Sequence, residues 1–359
     1  MFTPGSQVRW WLLWAGWLYG LAGRIRAALY RRGWLARRRL PVPVVSVGNL
    51  TVGGTGKTPL VIRLAEWLSG DGKRVAILSR GYRRAGSAPS LVVSDGASLL
   101  AAPEEAGDEP YLMARRCPAA VVAVGADRYE LGRWVLDRFP VDYILLDDGF
   151  QHLAVERDVD LLLVDATDAD GLRAVFPAGR LREPIDAAAR ASMIVVTKAD
   201  RPEQVAVVAE LLRPVTVGTP VAQAVFRPEM LVSVTSGSQQ PLTWCRGKTA
   251  VLCSGIADPA SFQTLAIRLG MIPVDHMVYR DHHSYTSGDV SRVRAKAAAA
   301  NADVVMTTEK DAGKLASLLT PSDCGWWAVR LGTDIVAGER ELRALIAKAS
   351  ADRTGAVYA

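Results

Sequence analysis

The 359-residue sequence predicts a doubly wound, mostly parallel α/β sheet of the P-loop NTPase type, followed by a smaller C-terminal α/β domain and preceded by an amphipathic helix. Three observations carry this expectation. Short apolar, β-branched runs alternate with helical patterns from Val44 onward. The first run, Val44 to Leu50, feeds a glycine-rich turn that ends in Lys57-Thr58. The basic excess is confined to one end: residues 1–40 hold eight arginines and no acid, so a net charge of +6 becomes −2 over the remainder, 35 basic against 37 acidic residues. A near-neutral body argues against nucleic-acid binding, which spreads basic residues over a folded face. Four cysteines (Cys117, Cys245, Cys253, Cys324) lie far apart with no C-x-x-C pair, which fits a reducing compartment better than a disulfide framework or zinc knuckle. The expected division is 1–40, a Trp/Arg-rich helix; 41–225, the phosphate-loop domain; 226–247, a linker; and 248–359, the C-terminal domain.

From Trp10 to Gly23 there is no charge, and Trp10, Trp14, Trp17, Leu21 and Ile25 recur at helical spacing before Arg24, Arg26, Arg31 and Arg32 arrive. Fourteen apolar residues are short for a bilayer span, which needs about 20. Tryptophan favours the membrane interface and clustered arginine favours anionic headgroups. The expectation is a peripheral or shallowly inserted helix with its basic end in the cytoplasm. The alternative is a helix packed on the protein's own core.

In the turn Thr51-Val52-Gly53-Gly54-Thr55-Gly56-Lys57-Thr58, each residue type has a reason. Glycines let backbone N–H groups close around a polyphosphate, and the helix N-terminus adds a positive dipole end. Lys57 is placed to reach the β- and γ-phosphates, and the Thr58 hydroxyl to ligate Mg²⁺. The general pattern asks for glycine where Thr51 stands; Gly53 and Gly54 are expected to supply the freedom.

Strands follow at Arg74 to Ser79, 91–94, Val121 to Gly125 and Val141 to Asp147. Gly107-Asp108-Glu109-Pro110 puts two carboxylates at a helix entry, where the helix dipole alone would account for them. Asp147-Asp148-Gly149 sits directly after a hydrophobic strand, at the carboxyl edge where ligands of parallel sheets bind, so both aspartates are expected to hold Mg²⁺. A proline-bounded loop, Phe176 to Pro184, carries Arg180, Arg182 and Glu183. Thr197-Lys198-Ala199-Asp200 at a strand end is either a base-reading motif or a plain turn. After the polar stretch 221–247 comes a second α/β unit with strands at Ala250, Asp303 and Trp327. Its loop His276 to Tyr285 holds three of the four histidines; a catalytic loop facing the nucleotide domain is preferred there over a metal site.

Val47 to Pro59, Ser79-Arg80-Gly81-Tyr82, Gly107 to Pro110, Asp147-Asp148-Gly149-Phe150-Gln151-His152, Pro177-Ala178-Gly179 with Leu181 to Pro184, Asp281-His282 and Thr308-Glu309-Lys310-Asp311 occur in that order. Together they resemble the tetraacyldisaccharide 4'-kinase family, the lipid A kinases of Gram-negative bacteria, over essentially the whole chain. Thr51 suits that family, whereas Arg180 stands where it usually has proline. The resemblance implies transfer of the γ-phosphate of ATP, with Mg²⁺, to the 4'-hydroxyl of a tetraacylated glucosamine disaccharide 1-phosphate, forming lipid IVA. It implies an acid–histidine pair, Asp108 and His282, activating that hydroxyl, with Lys57 and Asp148 completing the catalytic group. Arg80, Arg128, Arg182 and Glu183 are the expected substrate or phosphate contacts. A substrate with four acyl chains implies work at an anionic membrane surface, the cytoplasmic face of the inner membrane, with no obligate protein partner. The rival reading is a membrane-surface ATPase that acts as a switch or positioning factor.

Overall fold

The computed structural model describes residues 8–82, 84, 88–323 and 325–357; Arg83 and Cys324 lie outside them. A 3-10 turn, Trp10–Leu12, leads into α1 (Leu13–Arg31). The nucleotide half then runs β1 (Val44–Asn49), α2 (Lys57–Gly70), β2 (Val75–Ser79), β3 (Ser90–Asp95), α3 (Pro103–Ala106), α4 (Asp108–Arg116), β4 (Val121–Gly125), α5 (Arg128–Leu136), β5 (Tyr143–Asp147), β6 (Val159–Asp165), β7 (Met193–Thr197) and α6 (Pro202–Leu212). The second half runs β8 (Val221–Ser233), β9 (Gln239–Gln240), β10 (Thr249–Ser254), α7 (Pro259–Arg268), β11 (Ile272–Val278), α8 (Ser287–Ala299), β12 (Val304–Thr308), α9 (Glu309–Leu315), β13 (Trp326–Ala337) and α10 (Glu339–Val357).

Among the described residues the strands join one sheet in the order β11-β10-β12-β13-β8-β7-β6-β1-β5-β2-β4-β3, with β9 beside β8. Neighbours are parallel except at β8/β13, β3/β4 and β8/β9. The continuous apolar runs have their reason here: β1, β2, β4, β5, β6 and β7 are buried at every position, as strands covered on both faces must be. Helix α2 covers one face with Leu60, Val61, Leu64 and Trp67. Local caps start the helices: Asp127 accepts from the N–H groups of Tyr129 and Glu130 at α5, and Thr308 from Asp311 at α9.

Two expected boundaries change. Residues 226–247 are not a loose linker: β8 runs through Ser233, pairs with β13 from Gln223 to Ser233, and makes the antiparallel ribbon that joins two parallel half-sheets. The polar residues alternate with buried ones because this ribbon has a solvated face. The last helix, expected within 248–359, returns to the nucleotide half, where Leu342, Ile346 and Ala349 enter its core and Arg353 pairs with Asp158 at 2.6 Å. The loop expected around His276 is instead strand β11.

Helix α1 packs against the protein along one narrow face. Its only buried residues are Gly16 and Gly20, which lie on the 175–184 loop so closely that a Cβ on Gly16 would stand 2.9 Å from the Val175 carbonyl oxygen. The opposite face is open, with Trp10, Trp14 and Trp17 63–78% exposed. No described helix is long and apolar enough to cross a membrane.

Candidate active site

Strand β1 delivers the phosphate loop. Thr51 forms an antiparallel bridge with Leu181 and is buried, so the chain is still extended there and needs no glycine. The left-handed freedom begins later, at Gly53 (φ 135°) and Gly56 (φ 82°). The Thr197 hydroxyl donates to the Thr55 carbonyl at 2.8 Å, and Lys198 pairs with Asp165 at 2.6 Å, so this strand end braces the loop. Among the described residues, no acceptor in the protein takes the backbone N–H of Gly53, Gly54, Thr55 or Gly56. Such a row of free donors ahead of a helix is what an anionic polyphosphate requires. Lys57 opens α2, donating to Asn49 Oδ1 at 3.2 Å and lying 3.5 Å from Asp148.

Register places the two aspartates. Asp147 ends β5 beside β1, and its Oδ2 accepts from the Ser79 hydroxyl of neighbouring β2 at 2.8 Å. Its Oδ1 is buried without a partner. Burial first, then Glu109 and Asp148, push its carboxyl up to about 7. Asp148 turns out of the strand at φ 53° and accepts from Arg182 at 2.8 Å. Burial opposes its ionisation, but Lys57 and Arg182 outweigh it and hold the carboxyl below the usual range. An orphaned buried carboxylate oxygen beside a second carboxylate suits a divalent cation. No group of three or more His, Cys, Asp or Glu among the described residues could hold a metal. Mg²⁺ needs none, since it keeps waters and substrate phosphates as its other ligands.

The acid–histidine pair forms across the two halves. Asp108 opens α4, and its Oδ2 lies 3.1 Å from His282 Nδ1 and 3.2 Å from Lys314 Nζ. Lys310 Nζ lies 3.2 Å from His282 Nε2. An ammonium only donates, so Nε2 accepts and the ring proton sits on Nδ1, facing Asp108. Burial works against ionisation of Asp108, yet His282, Lys314 and Lys310 together draw its carboxyl below the usual range. The first turn of α4 also acts on the aspartate pair, since Glu109 helps to raise the Asp147 carboxyl. The other two histidines of the second half have separate partners: His276 meets Ser254 at 2.8 Å, and His283 stacks on Tyr279 and meets Asp289 at 3.2 Å.

Two of the expected substrate contacts are held by the protein itself in this structure. Arg128 is 3% exposed and donates to the Gly125 and Ala126 carbonyls, closing the turn after β4; burial above all brings its guanidinium down to about 10. Glu183 is buried in a two-pronged pair with Arg190 at 2.9 and 3.1 Å. Arg80 is exposed at the end of β2, and Arg182 stands over Asp148. Sequence reasoning gave no role to Ser79, Asn49, Lys310 or Lys314. Lys310 and Lys314 are one helical turn apart on α9 and both reach the pair, so the i, i+4 spacing after Thr308 was the available signal.

Parallel strands ending in a phosphate loop and an aspartate pair, with a carboxylate that meets a histidine from the facing half, define a phosphotransferase of the P-loop kind. Residues 8–351 match the model of the family described as LpxK, tetraacyldisaccharide-1-P 4'-kinase. The chain belongs to this family. It is 41% identical over 302 residues to the tetraacyldisaccharide 4'-kinase of Geobacter sulfurreducens, covering 84% of this chain and 83% of that one. It is 40% identical over 329 residues to that of Anaeromyxobacter dehalogenans strain 2CP-C, covering 91% and 86%. Among solved structures, LpxK from Aquifex aeolicus in complex with ATP superposes with a TM-score of 0.79 at 32% identity, covering 96% of this chain and 99% of that one.

Proposed function

We propose that this chain phosphorylates the 4'-hydroxyl of a tetraacyl disaccharide 1-phosphate with ATP, at the cytoplasmic surface of the inner membrane. The observation that carries the reading is the Asp108–His282 contact of 3.1 Å, made between the nucleotide half and the second half. The free N–H groups of residues 53–56 and Lys57 hold the triphosphate and take up charge as the γ-phosphoryl moves. Thr58, Asp147 and Asp148 are the residues fit to hold Mg²⁺, which when bound would supply positive charge to the transferring phosphoryl group.

A sugar hydroxyl is a weak nucleophile, so a carboxylate within hydrogen-bond reach is needed to accept its proton as the bond to phosphorus forms. Asp108 is that carboxylate. His282, fixed in its Nδ1–H tautomer by Lys310, orients it, and Lys314 keeps it ionised. His282 and Lys310 belong to the second half, so the base is complete only when the halves are closed. Exposed Trp10, Trp14 and Trp17 beside Arg24 and Arg26 suit an anionic bilayer surface, where the acceptor resides.

The test is transfer of label from γ-labelled ATP to tetraacyl disaccharide 1-phosphate with Mg²⁺. Labelled lipid is expected with the native chain and is expected to fall steeply with Asp108→Ala and Lys57→Ala. ATP turnover that ignores the lipid acceptor would replace this reading with that of a membrane-surface ATPase.

A further inference from the structure

A guanidinium is built against the phosphate loop. Arg180, between β6 and β7, donates through Nε and Nη2 to the Val52 carbonyl at 3.1 and 2.7 Å, and through Nη1 to Asp168 at 2.8 Å. Arg180 and Asp168 are each only 16% exposed, so neither group is a solvated surface charge. The backbone repeats the contact in reverse: the Val52 N–H donates to the Arg180 carbonyl at 2.8 Å. The fit is close, since a Cβ on Gly53 would stand 2.5 Å from Arg180 Nη2.

This clamp acts on one peptide plane. In a trans peptide the carbonyl and the following N–H point in opposite directions. Fixing the Val52 carbonyl on Arg180 therefore turns the Gly53 N–H away from the guanidinium, and that N–H has no acceptor among the described residues. A Gly53-Gly54 pair would otherwise let this plane rotate freely. Asp168 occupies the remaining edge of the guanidinium and balances its charge, which leaves Arg180 a clamp rather than a competing phosphate ligand.

We propose that Arg180 is a positioning residue for ATP: it locks the Val52–Gly53 peptide so that the Gly53 N–H is presented to the polyphosphate before the nucleotide arrives. The inference rests on the phosphate-loop reading of residues 51–58. Preorganisation of this kind raises affinity without a direct contact. A lysine would keep the charge but lose the fork that reaches carbonyl and carboxylate together.

The experiment is titration calorimetry of the full chain with Mg·ATP, paired with steady-state kinetics. Arg180→Gln is expected to weaken ATP binding roughly tenfold, the size of one charge-assisted hydrogen bond. The KM for ATP should rise with it, the KM for the lipid should stay put, and kcat should change less than the ATP affinity. Arg180→Lys should fall between, and Asp168→Asn, which loosens the clamp from behind, should move ATP affinity the same way by less. If Arg180→Gln misfolds by its melting curve, Asp168→Asn and Arg180→Lys carry the comparison. Native ATP affinity in folded variants, or a raised KM for the lipid alone, overturns the proposal. Failure of the native chain to bind ATP would instead remove the phosphate-loop reading itself.

Discussion

Asp108 and His282 stand 174 positions apart in the chain and 3.1 Å apart in space. What brings them together is an antiparallel pair of helices, α4 from the nucleotide half and α9 from the second. Asp108 in the first turn of α4 pairs with Lys314 in the last turn of α9, while Arg116 at the end of α4 pairs with Glu309 at the start of α9, at 3.0 Å. Gly313 allows the close approach, since a Cβ there would meet the Tyr111 ring at 3.1 Å. Ion pairs at both ends fix the register of the two helices, and with it the geometry of the base.

Lys314→Met should move the acidic limb of the kcat profile to higher pH. Lys314 is one of the cations that lower the Asp108 carboxyl, so its removal lets that carboxyl rise toward its ordinary value. At neutral pH, turnover should change less than it does on the acidic limb. A profile that keeps its acidic limb in place would separate Lys314 from the base.

Arg116→Met should destabilise the chain by about 3 kcal/mol and lower kcat more than it raises the KM for ATP. Arg116 is 7% exposed and lies within 4 Å of Glu66, Glu229 and Glu309, so its loss leaves three carboxylates facing one another. Urea unfolding and steady-state kinetics read the two effects separately.

Asp147→Asn should stabilise the nucleotide-free protein at pH 8 and not at pH 4. The native carboxyl titrates near 7 instead of its ordinary 3.8, so the folded state holds the proton more tightly than the unfolded one. Its contribution is fully favourable below about 3.8 and is lost as pH rises through about 7. Melting curves across that window should show the variant's advantage grow with pH, while phosphoryl transfer collapses at every pH.

Trp14→Ser with Trp17→Ser should cut co-sedimentation with anionic liposomes by roughly tenfold or more, from the apolar area withdrawn from the interface. Both rings are more than half exposed, so the melting temperature should hold. Unchanged partitioning would remove α1 as the membrane contact.

Much of the site was legible because it is local. The sequence β1–loop–α2 carries its chemistry within 51–58, and Asp147-Asp148 announces itself by ending a buried strand. The burial of Arg128 was not legible, because an arginine heading a helix reads the same whether it stands in solvent or closes a turn. The antiparallel ribbon of β8 and β13 was hidden because its strands are about a hundred residues apart and its polar alternation resembles a linker.

The sequence alone determined the parallel sheet, the phosphate loop and the family, since periodicity, glycine placement and ordered motifs are written in neighbouring residues. Tertiary structure alone decided that α9 lies along α4 and delivers Lys310 and Lys314 to the acid–histidine pair, that Arg180 clamps the phosphate loop, and that α10 closes the first core. Each of these joins residues far apart in the chain. Their pairing depends on which faces are left unburied once the sheet has formed, and no local pattern records that.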